Sequence, residues 1–179
     1  VEEFTYTKST SERYDIRPKS GYDWGIFTID ENGGVFHCQS DYGDYSYRWP
    51  CHGRESLKHF LCEIDTQYLL NKVASRDYFD HDKAFESWKK TIIKLRRNGD
   101  CTKKQARAAW DYIHSELEGC ESYDVCGEKM WEKPIRDIAG AEWWYTFELE
   151  KDYSPQALAF AHKLWPMFID VLKREIGLA

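Results

Sequence analysis

No stretch of the sequence approaches the roughly 18 to 20 consecutive apolar residues needed to span a bilayer as a helix, so no membrane-crossing helix is expected. The opening residues, VEEFTYTKSTSERYD, lack a basic segment followed by an apolar core, and no signal peptide is expected there. Glycine-rich phosphate loops of the GxxxxGK[ST] or GxGxxG kind are missing, as is the HExxH zinc-protease motif. The six cysteines, at 38, 51, 62, 101, 120 and 126, include no C-x-x-C pair, which removes the usual zinc-ribbon and thioredoxin readings. Reduced thiols in a cytosolic protein are the expectation, with Cys120–Cys126 the disulfide alternative. Proline is scarce, at five residues, so those present mark boundaries.

Aromatic side chains are abundant, at eight Trp, twelve Tyr and nine Phe in 179 residues, enough for a real core and far from a disordered composition. The length suits a single domain over 1–179. Residues 1–50 alternate apolar and polar between turn residues and are expected to form an antiparallel β-meander, with strands over 4–14, 24–30, 35–40 and 44–49. Glu31-Asn32-Gly33-Gly34 supplies a hairpin turn, because Asn-Gly readily takes positive φ. Pro50 removes a backbone donor and ends the ladder.

Helical periodicity takes over across 55–118. Leu57, Phe60, Leu61 and Ile64 share one face, then Tyr68, Leu69 and Val73. Asp80 to Asp82 open a helix carrying Phe85, Trp88, Ile92 and Leu95, closed by Asn98-Gly99. Thr102 with Gln105 reads as a capping box for the next helix, which buries Ala106, Ala109, Trp110, Ile113 and Leu117. So short a link predicts an antiparallel helical hairpin. Gly119 to Gly127 reads as a loop, and Trp143, Tyr145, Phe147 and Leu149 alternate as a strand over 142–150. Ser154-Pro155 opens a last helix, 154–177, with a kink near Pro166. The fold class is α+β, a meander packed against a C-terminal set of helices.

The net charge of −6 conceals segregation. Residues 83–107 carry nine Lys/Arg against Glu86 and Asp100, a net of +7, whereas 111–154 carry twelve Asp/Glu against four cations, a net of −8. Lys94, Arg96, Arg97, Lys103, Lys104 and Arg107 surround the hairpin turn, where a new helix N-terminus adds positive potential. Glu116, Glu118, Glu121 and Asp124 are the acidic counterpart, a candidate mimic of nucleic-acid phosphates or an ordinary solvated surface. These ten residues are the candidate partner-binding set.

Residues with potential for chemistry are scattered. His37 and Cys38 point to opposite strand faces, and His59 with Cys62 sit at i, i+3, but no repeated tight pair gathers four ligands, so neither metal nor cofactor is expected. Cys51 with His52, or with His81, is the enzymatic alternative, as is a metal at Asp77, Asp80 and Asp82, where helix capping is the plainer explanation. Tyr45, Tyr47 and Trp49 share one strand face, with Trp24 and Ile26 on the adjoining hairpin; a meander must bury one face, and these rings are read as core in preference to a stacking platform.

ERYDIRP at 12–18, DWG at 23–25, SDYGDYSYRW at 40–49 and ESLKHFL at 55–61 resemble small proteins of tailed bacteriophages and prophages, over about the first 75 residues. That resemblance carries no fold or catalytic residues; it implies a phage protein working in the host cytoplasm. Together with the charge layout and the missing catalytic motifs, it suggests a non-enzymatic accessory protein. Such a protein would bind a host protein or nucleoprotein complex and block a charged groove, as an anti-CRISPR or other anti-defence inhibitor does. Direct nucleic-acid binding by the basic tip is the second expectation.

Overall fold

A computed structural model describes residues 3–178. The chain divides into two compact units, one made of Val1–Arg76 with Tyr153–Ala179 and the other of Asp77–Asp152.

The first unit opens with four strands, β1 (Glu12–Ile16), β2 (Gly25–Asp30), β3 (Val35–Ser40) and β4 (Gly43–Arg48), in the order β1-β2-β3-β4 and antiparallel throughout. The expected meander is present, with a shorter first strand that starts at Glu12 instead of Phe4. Register places Phe27 opposite Cys38, and Cys38 opposite Tyr45, so these three share the buried face. Ile26 pairs with Gln39 on the other face. The β2 residues that join Tyr45 and Trp49 in the core are therefore Phe27 and Ile29, not Trp24 and Ile26. The β2–β3 turn takes its left-handed residue at Gly34 (φ +63°), one step beyond the Asn-Gly pair. A Cβ on Gly34 would lie 2.1 Å from the Trp49 carbonyl oxygen, a clash that no rotamer relieves.

Two short helices follow, α1 (Leu57–Glu63) and α2 (Thr66–Val73), capped by the side chains of Ser56 and Asp65. The same unit is completed by the end of the chain: α7 (Pro155–Ala159), a π-helical turn (Phe160–Leu164) and α8 (Trp165–Glu175). The irregularity expected near Pro166 is this wide turn, which ends at Leu164, two residues before the proline that has no N–H to donate. Its inward residues cover the sheet. Phe168 stacks on Phe27 at 4.1 Å and 5°, Phe160 stacks on Tyr45 at 4.1 Å, and Trp165 meets Phe36 edge-on at 5.5 Å.

Lys58 on α1 ties three elements together. Its ammonium reaches Glu12 of β1 at 2.6 Å and Glu175 of α8, while the Tyr14 hydroxyl donates to Glu175 at 2.8 Å. Burial alone would lower the Lys58 pKa, but the bonds to Glu12 and Glu175 outweigh it and raise it. The bond from Lys58 is the main cause that holds the Glu12 carboxyl below its ordinary 4.5.

The second unit contains α3 (His81–Asn98), α4 (Lys103–Tyr112) with a π-helical extension (Ile113–Leu117), α5 (Tyr123–Lys129), α6 (Lys133–Ala139) and a 3-10 turn (Trp143–Tyr145). Its chain ends meet in a bridge, with the Tyr78 amide donating to Asp152 at 3.0 Å and the Asp152 amide to Tyr78 at 2.8 Å. The core runs from Phe85, Trp88 and Ile92 through Ala109, Ile113 and Leu117 to Met130, Ile135 and Phe147.

Two expectations fail in this unit. The segment read as a loop over 119–127 includes the start of α5, capped by Ser122 and anchored by buried Cys126. The strand expected over 142–150 is a helical turn: the Thr146 and Phe147 amides both donate to the Trp143 carbonyl, at 2.9 and 2.8 Å. That turn buries Trp143 and Phe147 together, an i, i+4 pair that the alternating reading had also placed on one side. Packing on the other helices decides between the two periods.

Replacing Phe168 by Ala should cost about 3–5 kcal/mol in denaturant unfolding. Gly34→Ala should destabilise by more than an ordinary Gly→Ala change in the same assay. Glu12→Gln should lower stability at neutral pH. Because the folded Glu12 pKa is depressed, the wild-type advantage should vanish as pH falls below 4.5 and through that lowered value; an advantage that persists in acid would contradict the Lys58 assignment.

Candidate functional site

The hairpin of α3 and α4 is built by local signals at each end. Asp80 accepts the Lys83 amide at 3.0 Å to start α3, and Gly99 ends it in the left-handed conformation, with the Asp100 amide donating to the Leu95 carbonyl at 3.0 Å. The Thr102–Gln105 capping box starts α4, Gln105 Oε1 accepting the Thr102 amide at 3.0 Å and Thr102 Oγ1 accepting the Gln105 amide at 3.2 Å. Gln105 also donates to the Asp137 carbonyl of α6 at 3.1 Å, fixing the start of α4.

Between the two helices lies a groove of about 380 Å³, lined by Ile92, Ile93, Arg96 and Arg97 from α3 and by Lys103, Ala106, Arg107 and Trp110 from α4. Its floor is apolar and its rim is cationic. Of the six basic residues expected at the hairpin, the structure brings Arg96, Arg97, Lys103 and Arg107 together here. Lys94 instead lines a separate polar cleft with Ser87, Asn98, Asp100 and Tyr145, and Lys104 is an exposed α4 residue. Arg107 is paired with Asp111 at 3.0 Å; among the described residues Arg96, Arg97 and Lys103 have no ion pair.

The acidic positions are not gathered in the same way. Glu116 is held by Lys129, whose ammonium also donates to the Glu116 carbonyl at 2.6 Å. Glu118 caps the π-helical turn, Asp124 sits in the first turn of α5, and Glu121 lines a cleft of about 560 Å³ with Asp77, Asp80, His81 and Lys151. In that cleft Asp80 is the α3 cap, and His81 Nε2 donates to the Leu117 carbonyl at 2.7 Å. Among the described residues no group of three or more His, Cys, Asp or Glu is arranged to hold a metal ion. His37 is exposed and Cys38 buried, on opposite faces of β3. His52 uses Nδ1 to accept the Arg54 amide at 3.4 Å, while Cys51 is exposed beside it in the chain.

A family model described as Phage family matches residues 4–174. The chain belongs to this phage family. The match covers nearly the whole chain and so extends well past the 75 residues that carried the resemblance. No curated protein and no solved structure matches the chain. Among the described residues no helix is long and apolar enough to cross a membrane.

Three features of this phage-family protein escaped sequence reasoning. Ile93, 39% exposed, is the apolar half of the groove wall. Its signal was the Ile92-Ile93 doublet, since only the first fits the buried face with Phe85 and Trp88. Trp110 was expected in the core, but it is half-buried, stacks on His114 at 4.9 Å and lines the groove. Trp131, Trp144 and Tyr145 form an exposed aromatic group, with ring separations of 5.6 and 6.0 Å.

The structure holds all six cysteines as free thiols, the Cys126 thiol donating to the Cys120 carbonyl at 3.1 Å. Burial pushes the Cys38 and Cys126 thiols up to about 12. A disulfide-exchange reagent at pH 8 should therefore modify exposed Cys51 first and leave Cys38 and Cys126 untouched until denaturant is added. Rapid native-state labelling of Cys38 would contradict this placement.

Proposed function

We propose that this phage-family protein acts by occupancy and not by chemistry: its α3–α4 groove docks on a host protein or nucleoprotein complex and blocks the surface it covers. The observation that carries the reading is the apolar floor inside a rim of four cations, of which Arg96, Arg97 and Lys103 have no ion pair among the described residues. An apolar surface flanked by charges is the usual composition of a binding site, hydrophobic at its centre and polar at its edge. Arginine and tryptophan, both present here, are the residue types that most often dominate binding energy.

Inhibition of a host machine, an anti-defence role included, is the physiological form we assign to such docking in a phage protein. No observation favours a CRISPR effector over another host target. The overall net charge of −6 argues against the groove as a general nucleic-acid site, because the remaining surface repels a polyanion.

Affinity purification from host lysate with wild-type protein and with Arg96→Glu/Arg97→Glu/Lys103→Glu tests this reading. A stoichiometric complex that the wild type retains and the reversed variant loses is the expected result, with retention falling as salt rises. Identical capture by both proteins would overturn it.

A further inference from the structure

The groove's geometry says more about its occupant than that it is acidic, and the following rests on the docking role just proposed. On α3 the lining residues are Ile92, Ile93, Arg96 and Arg97, the pairs i and i+4 of two adjacent rows. On α4 they are Lys103, Ala106, Arg107 and Trp110, at i, i+3, i+4 and i+7 of one face. Two antiparallel helices that present such rows side by side, with a trough between them, offer the seat that a third helix fills in a bundle.

The trough is also polarised along its length. Because the helices run antiparallel, Arg96 and Arg97 near the end of α3 fall at the same end as Lys103 at the start of α4, toward the turn. Ile92 and Ile93 fall at the other end with Trp110, and Ala106 and Arg107 lie between. The positive N-terminus of α4 reinforces the cationic end. Ala106 keeps the floor low in the middle, and only about 7 residues of α4 separate Lys103 from Trp110, a rise of roughly 10 Å, or two helical turns.

We infer that the occupant is a short amphipathic helix of a partner protein. Apolar side chains at i, i+3 or i+4 seat over exposed Ile93 and half-buried Trp110, and carboxylates in the adjoining turn pair with Arg96, Arg97 and Lys103. This is the helix-in-groove mode of recognition, with the apolar anchors setting depth and the charges setting direction. A nucleic-acid strand fits less well. It would place phosphates over the aliphatic Ile92 and Ile93, and Trp110 is the one aromatic ring among the eight lining residues available for stacking a base.

The test is calorimetric, with the full chain and three synthetic 14-residue peptides. The first carries leucines at three- and four-residue spacing followed by a glutamate-rich turn. The second has lysines for the glutamates, and the third has the leucines and glutamates shuffled to break the apolar face. The first should bind, and the other two should bind at least about tenfold more weakly. Ile93→Asp, at an exposed position that leaves the core intact, should lose binding, as should Arg96→Glu/Lys103→Glu. Lys8→Glu/Lys19→Glu, the same charge change on exposed residues of the other unit, should not.

Equal binding of the lysine or shuffled peptide, or an unaffected Ile93→Asp, would overturn the inference. So would salt-dependent self-association lost on reversal of Arg96, which would make the occupant a second copy of this chain. If no peptide binds while Arg96, Arg97 and Lys103 still govern capture of the host complex, the helical occupant is wrong and the docking role stands. If a DNA duplex binds through those residues and no peptide does, both are wrong.

Discussion

A four-stranded meander cannot keep water off its apolar face unaided, and in this protein the cover arrives from the far end of the chain. Phe27, Phe36 and Tyr45 face inward from the N-terminal region, and the rings that cover them, Phe160, Trp165 and Phe168, follow after residue 153. Closing that aromatic layer forces the sequence to return to its start. Everything between Arg76 and Tyr153 must then leave and re-enter the first unit, and the paired backbones of Tyr78 and Asp152 hold the two ends of that insertion together. The helical unit has its own core, so its outer faces do not have to stabilise the sheet.

That independence lets the hairpin carry a surface that stability alone does not require. A hydrophobic side chain on the outward row of α3 and an unneutralised cluster of cations at the turn are tolerated because Trp88, Ile92, Ala109 and Ile113 already bury the inward rows. Exposed like charges repel one another, and no carboxylate among the described residues relieves Arg96, Arg97 or Lys103. An acidic partner would relieve them, which supports the docking role proposed above. The acidic stretch downstream contrasts with it: Glu116 is locked by Lys129, and the rest serve helix ends or a separate cleft.

Much of this architecture was legible in the residues. Alternation located the strands, Asp80, the Thr102–Gln105 box and Ser154-Pro155 located helix starts, and the short link gave the hairpin. The failures share a cause. Trp143 to Leu149 satisfies both a strand and a helical period, and only packing chose between them; Gly119 and Gly127 masked a helix whose stability comes from buried Cys126 and Met130. For the site, charge identified the rim but not its membership. Six cations are near in sequence, but helical geometry sends Arg96, Arg97, Lys103 and Arg107 to the groove and Lys94 to another cleft. The apolar floor was signalled only by an isoleucine too many.

The central claim is that partners meet this protein on the α3–α4 hairpin. Hydrogen exchange on the isolated protein and on the complex captured from the host addresses it directly. Binding should slow exchange across residues 92–110 and leave β1 to β4 unchanged. Protection confined to the exposed Trp131, Trp144 and Tyr145 group or to the sheet, with 92–110 exchanging as in the free protein, would contradict it.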